Sequence, residues 1–180
     1  MINRKIARRY AKALMNIGRQ DGNYERYWEE LKAFASLFQE KEGLWEVLIN
    51  PAIGIPKRKA IITELGERLG LSPIVINFLH ILVDKNRMRY LSDIISIYQQ
   101  LVDEAAGRAR VLLVTAYDLS KDKLQQLSQG LEGLVGKNVV MEVEKDPSLI
   151  GGVVAKIGGM VYDGSVKTQL ERFREILTKE

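Results

Sequence analysis

His80 is the single histidine of this 180-residue chain, and there is no cysteine. Together these facts remove thiolate nucleophiles, paired-histidine mechanisms and thiolate zinc sites, and they leave a transition metal without its usual ligands. His80 itself stands between Leu79 and Ile81 in an apolar helical segment, where a lone imidazole reads as a packing or surface residue. Carboxylates pair at Glu29-Glu30, Glu64/Glu67 and Glu142/Glu144. The first two are helix neighbours that point apart, and Glu64/Glu67 lie among Lys and Arg as ordinary charged surface. Glu142 and Glu144 share one solvated strand face. None has a nucleophile or an oxyanion donor beside it. Gly136-Lys137 has the form of the end of a phosphate-binding loop, but Leu131 stands where the first glycine is required and Asn138 where Ser or Thr is. Gly151-Gly152 and Gly158-Gly159 are followed by strand pattern and not by a helix, so they read as bulge and turn glycines. Asp163-Gly164-Ser165 reads as a turn and helix cap. The expectation is a chain that is not an enzyme and holds no cofactor and no metal.

The composition is that of an ordinary globular protein, with 46% hydrophobic and 28% charged residues, which excludes intrinsic disorder of the whole chain. The lack of cysteine fits a reducing compartment. The net charge of +4 is small, and its excess is local: residues 1–20 contain Arg4, Lys5, Arg8, Arg9, Lys12 and Arg19 with no acid among them. A secretory signal would need an apolar core that this stretch lacks. Ile6, Tyr10, Ala13, Leu14 and Ile17 recur instead at helical spacing, as expected of the first helix of a folded domain. No stretch approaches the ~20 apolar residues of a membrane span, so membrane association is expected to be peripheral.

Those residues need elements to carry them, and two kinds of pattern divide the chain. Up to about residue 106 the apolar period is helical. Helices are expected over Arg4–Ile17, Tyr24–Phe38, Leu44–Ile49, from Pro56 to a stop at Gly70, from Pro73 behind the cap Ser72, and through Leu91–Val102. From Gly107 onward the pattern alternates between strand and helix. Strands are expected at Val111–Val114, Val139–Val143, Val153–Ile157 and Met160–Tyr162, the last two joined by a Gly158-Gly159 hairpin. Ser120 is expected to cap a helix lined by Leu124, Leu127, Leu131 and Leu134, with Leu119 and Leu124 as its staple. Gly164-Ser165 opens a last helix with Val166, Leu170, Phe173 and Leu177 facing inward. The fold class is α+β with two domains: a six-helix bundle over residues 1–106, then a small α/β domain over 107–180.

Two stretches say more than periodicity. Ala7-Arg8-Arg9-Tyr10-Ala11-Lys12-Ala13-Leu14 resembles the opening helix of the delta subunit of bacterial F-type ATP synthases, whose mitochondrial counterpart is the oligomycin-sensitivity-conferring protein. Asp146-Pro147-Ser148-Leu149-Ile150-Gly151-Gly152-Val153-Val154, then Gly158 and Asp163-Gly164-Ser165-Val166-Lys167-Thr168-Gln169-Leu170, resembles that family's C-terminal signature. Asn77-Phe78-Leu79 and Asn86-Arg87 sit where the family has its fifth helix and the turn after it. The resemblance spans essentially the whole chain. Lys145 before the Asp-Pro, where the family usually has an aliphatic residue, and Tyr162 before the Asp-Gly-Ser depart from the pattern.

The resemblance implies a non-catalytic stator subunit of the peripheral stalk, which holds the catalytic head against the turning rotor so that ion-gradient energy drives ATP synthesis on other subunits. It implies two partners. The N-terminal bundle would bind the N-terminal helix of an alpha subunit, in a groove between the first and fifth helices formed by Ile6, Tyr10, Ala13, Leu14, Asn77, Phe78 and Leu82. How these divide between groove and core, periodicity leaves open. The C-terminal domain would meet the b subunits, with Gly151, Gly152, Asp163, Gly164 and Ser165 shaping its hairpin and cap. With no presequence evident, the expected place is the cytoplasmic side of a cell membrane, reached only through the complex. The rival reading is a nucleic-acid-binding module using the basic first helix; nearly balanced charge and the lack of a docking motif speak against it.

Overall fold

A computed structural model describes residues 2–40 and 42–177. The chain divides into two compact units, Met1–Val102 and Asp103–Glu180. In the first, the expected six helices form: α1 (Ile2–Gln20), α2 (Tyr24–Glu40), α3 (Glu42–Ile49), α4 (Ile55–Leu69), α5 (Pro73–Asp84) and α6 (Leu91–Ala105), with a short 3-10 helix at Met88–Tyr90 leading into α6. The division falls within the last turns of α6, ahead of Gly107. Asp103 opens the second unit, and its carboxylate accepts from the Arg110 guanidinium at 2.9 Å.

The bundle core follows the helical period. Ala7, Ala11, Leu14 and Met15 of α1, Tyr27, Leu31 and Phe34 of α2, and Val75, Leu79, Leu82 and Val83 of α5 are all buried in one cluster. At Gly18 a Cβ would stand 2.7 Å from Tyr24 Cα, so α1 and α2 cross backbone to backbone there. The turn between them is tied by Tyr27, whose hydroxyl donates to Asp21 Oδ2. Burial, reinforced by that bond, pushes the Tyr27 phenol up to about 12, and the Asp21 carboxyl is held below its ordinary value mainly by the same hydroxyl.

The second unit comprises β1 (Arg108–Thr115), α7 (Lys121–Val135), β2 (Asn138–Lys145), a 3-10 turn at Pro147–Leu149, β3 (Val153–Ile157), β4 (Met160–Asp163) and α8 (Val166–Leu177). The four strands form one sheet in the order β2-β1-β3-β4. β1 pairs parallel with β2, while β1–β3 and β3–β4 are antiparallel. Leu124, Leu127 and Leu131 of α7 pack on Val111, Leu113, Ala155 and Ile157 of the sheet. Leu119 and Leu124 join this core as a staple would require.

Three expectations are corrected here. Ser120 occupies the cap position of α7 but its hydroxyl makes no cap bond. Leu134 and Val143 are exposed; at the end of α7 it is the next residue, Val135, that packs on the sheet. The third is the largest. The apolar stripe of α8 does not face inward: Leu170 is 54% exposed, Phe173 64% and Leu177 75%. The period is as expected, but nothing among the described residues covers this face.

Candidate partner-binding surfaces

The groove expected on the first unit would have α5 as one wall, and α5 is fixed at both ends. At its start Ser72 Oγ accepts from Val75 N–H at 3.4 Å and Pro73 takes the first helical position. Glu30 of α2 reinforces this cap: its Oε2 accepts from both the N–H and the hydroxyl of Ser72 at 2.7 Å, and its Oε1 accepts from Arg26 Nε at 2.7 Å. A buried carboxylate with this many donors is satisfied. At the other end Asn86 adopts a left-handed φ of 51°, a conformation its short polar side chain tolerates. Arg87 N–H then reaches back to Leu82 O at 2.7 Å and Asn86 N–H to Val83 O at 2.9 Å, the paired bonds of a Schellman closure.

Past that reversal the Arg87 side chain meets α1. Its Nη1 donates to Tyr10 Oη at 2.7 Å, with the guanidinium carbon 5.3 Å from the ring centre. Tyr10 in turn meets Phe78 edge to face, with ring centres 6.3 Å apart. Tyr10 is thus clamped between α5 and the turn that follows it, and this contact joins α1 to α5.

The candidate residues separate around that contact. Leu14 and Leu82 are 1% and 0% exposed and belong to the bundle core, a correction to their expected place in the groove. Phe78 is buried beneath Tyr10. Tyr10 and Ile6 are half-buried, and Ala13 and Asn77 are exposed. Ile17 follows Ala13 on the α1 stripe at 43% exposed, and Ile81 follows Asn77 on α5 at 47%. Ile81 and Arg87 escaped sequence reasoning. For Ile81 the signal was present, since it lies three and four residues from Phe78 and Asn77. For Arg87 it was not, because only folding brings it to Tyr10.

The second surface is the apolar face of α8, anchored through its first turn. Ser165 is buried, and its Oγ accepts from Thr168 N–H at 3.2 Å. Asp163 accepts from Ser165 N–H and from the Thr168 hydroxyl, both at 2.9 Å, and these donors hold its carboxyl below the ordinary range. Val166 N–H donates to Gly151 O at 2.9 Å and Gly164 N–H to Val153 O at 3.0 Å, which ties the cap to β3 and the turn before it. Gly152 has φ +78°, and a Cβ there would lie 2.3 Å from Gly164 O, so only glycine fits. Beyond this anchor α8 presents Leu170, Phe173, Ile176 and Leu177 to solvent. The edge strand β4 exposes Met160, Val161 and Tyr162.

The glycines and carboxylates that suggested chemistry do structural work. Gly136 closes α7 at φ +68°, its N–H donating to Glu132 O at 2.8 Å. His80 Nε2 lies 3.1 Å from Thr63 Oγ1 between α4 and α5. Glu142 accepts from Arg110 and Glu64 from Arg68, each at 2.6 Å. Lys145, one of the departures from the family pattern, donates to Asp118 at 2.6 Å on the surface.

The family model described as "ATP synthase delta (OSCP) subunit" matches residues 6–177. The chain is 43% identical over 179 residues to ATP synthase subunit delta of Desulfatibacillum aliphaticivorans, covering 99% of this chain and 98% of that one. It is 42% identical over 177 residues to the subunit of the same name from Syntrophus aciditrophicus, covering 98% of each. The chain belongs to the ATP synthase delta (OSCP) family. A chain in the Toxoplasma gondii mitochondrial ATP synthase hexamer shares the fold, with TM-score 0.75 over 96% of this chain and 97% of that one at 18% identity. As a delta-family chain it is a peripheral-stalk component of the proton-transporting ATP synthase and not itself a catalyst, and its partners are other subunits of that complex. As a subunit of that complex it is associated with the membrane through it; among the described residues no helix is long and apolar enough to cross a membrane.

Proposed function

We propose that the chain joins the catalytic head to the membrane sector by two helix-binding surfaces, one on each unit. The Met1–Val102 bundle receives the N-terminal helix of an alpha subunit in the α1–α5 groove. Ile6, Tyr10, Ala13 and Ile17 form one wall and Asn77 and Ile81 the other, over Phe78. The observation that carries this reading is the pairing of exposed isoleucines with the Arg87–Tyr10–Phe78 clamp. Apolar anchors at i, i+3 and i+4 spacing on a rigid backing are what an amphipathic helix docks against. The apolar faces of α8 and β4 receive the b subunits. Burial of each large side chain of α8 against a partner would contribute ~1.5–3 kcal/mol before the costs of association. Held at both surfaces, the stalk keeps the head from turning with the rotor while ATP is made elsewhere. The complex then lies on the cytoplasmic side of a cell membrane.

Titration of the full chain with a peptide copying the first ~20 residues of the alpha subunit from the same organism tests the groove. One-to-one binding is expected, weakened about tenfold or more by Ile81→Asp with the helical spectrum intact. Unchanged affinity in Ile81→Asp and in Ala13→Asp would remove the groove assignment. For α8, Phe173→Asp is expected to abolish capture by the b subunit's C-terminal segment while leaving alpha-peptide binding untouched.

A further inference from the structure

The exposed side of α1 carries a charge pattern that the helix itself disfavours. Arg4, Lys5, Arg8, Arg9, Lys12 and Arg19 are all exposed, α1 contains no acidic residue, and no ion pair joins these six to a carboxylate among the described residues. Lys5, Arg9 and Lys12 stand four and three residues apart, the spacing at which like charges repel across a helix surface. Arg4 and Lys5 also lie toward the N-terminal end of α1, where the helix dipole disfavours cations. A folded chain gains nothing internally from this row.

Its position relates it to the groove. Arg9 is three residues from Ile6 and four from Ala13, so those two groove residues are its neighbours on the helix surface, and Lys5 and Lys12 flank it. The α5 wall is different. Its outward positions along the helix are Asn77 and Ile81, the Asp84 carboxylate is held by Lys59 Nζ at 2.7 Å, and its cations, exposed Lys85 and the Tyr10-bound Arg87, stand only at its C-terminal end. One wall of the groove therefore carries cations along its length and the other only at one end.

We infer that the helix seated in this groove carries a row of carboxylates along the flank that faces α1, and that Lys5, Arg9 and Lys12 thereby set which way round it lies. The inference rests on the groove reading above and adds the chemistry of its occupant. An apolar stripe alone lets a docked helix rotate or slip; a one-sided charge row makes one orientation favourable and penalises the others.

The test uses the full chain and the same alpha-subunit peptide, at ~50 mM and ~500 mM NaCl, with the Arg9→Gln/Lys12→Gln variant alongside. Both side chains are exposed, so the variant is expected to keep the native circular dichroism and melting profile. Native affinity should fall roughly fivefold or more with salt, while the variant should start about fivefold weaker and respond little. A peptide with its carboxylates converted to amides should reproduce the variant's behaviour on the native chain. Equal affinity of native chain and variant at low salt would leave the groove occupied and sink the acidic flank. Failure of the native peptide to bind at either salt would overturn the groove reading and this inference together. Tighter binding of a ~20-base-pair DNA duplex than of the peptide, lost in the variant, would reassign the row to nucleic acid and overturn the proposal as well.

Discussion

The first and last helices of the chain carry apolar residues at the same helical spacing, and the two meet opposite fates. In α1, Ala7, Ala11, Leu14 and Met15 vanish into the bundle, whereas in α8 Leu170, Phe173 and Leu177 stand more than half exposed. The α1 stripe has α2 backbone against Gly18 and a clamp from Arg87 at Tyr10. The α8 stripe has only a well-made first turn, held by Ser165, Asp163 and Gly151. Periodicity therefore measures how much cover a helix demands. Whether the cover comes from the same chain or from another is a separate matter.

Paired substitutions sharpen the contrast most. Leu14→Ala should cost about 2–5 kcal/mol in urea unfolding, because it opens a cavity in a filled core. Leu170→Ala should stay within about 0.5 kcal/mol in the isolated chain. Comparable losses at both positions would mean that α8 is covered within the chain, and the contrast would collapse. Next in size, Gly152→Ala should cost about 3 kcal/mol, since a Cβ meets Gly164 O in a left-handed backbone. Amide NMR should show that damage confined to the second unit, with the bundle's resonances in place; perturbation of both units would show that they do not fold separately. Glu30→Ala should cost about 1–3 kcal/mol by stripping the Ser72 cap of its acceptor. Hydrogen exchange should quicken first at the amides opening α5, and unchanged protection there would deny Glu30 its part in fixing the groove wall.

The smallest effect is a pH dependence at the α8 anchor. The Ser165 N–H, the Ser165 side chain and the Thr168 hydroxyl depress the folded-state value of Asp163. Its stabilisation is thus fully present above the ordinary carboxylate value near 3.9 and is lost as pH falls through the lower folded value. Asp163→Asn should be less stable than the native chain at neutral pH, with the gap closing in acid. A gap independent of pH would show that the amide fails for packing reasons and not for want of charge.

Most of the architecture was legible from residue pattern alone. The stop at Gly70, the Ser72-Pro73 opening of α5, the Gly158-Gly159 hairpin and the change of period near Gly107 rest on local rules of backbone and cap chemistry that act within a few residues. The groove was legible only as a mixed set. Helical spacing put Leu14 beside Ala13 and Leu82 beside Ile81, and a turn of about 100° per residue sends one of each pair to the core and the other to the surface. Which one goes where depends on the crossing of α1 over α2 and the seating of α5, contacts between residues far apart in sequence.

Sequence by itself determined the helical pattern followed by the mixed strand-and-helix pattern, the resemblance to the delta family and the row of cations on the first helix. Tertiary structure alone decided that Arg87 would clamp Tyr10, that Glu30 would cap α5 from another helix, and that the α8 stripe would stay bare. The division has a physical cause. Turns, caps and periods depend on neighbours along the chain, whereas burial is settled by what arrives from elsewhere in space, and for the last helix the described residues of its own unit supply no cover.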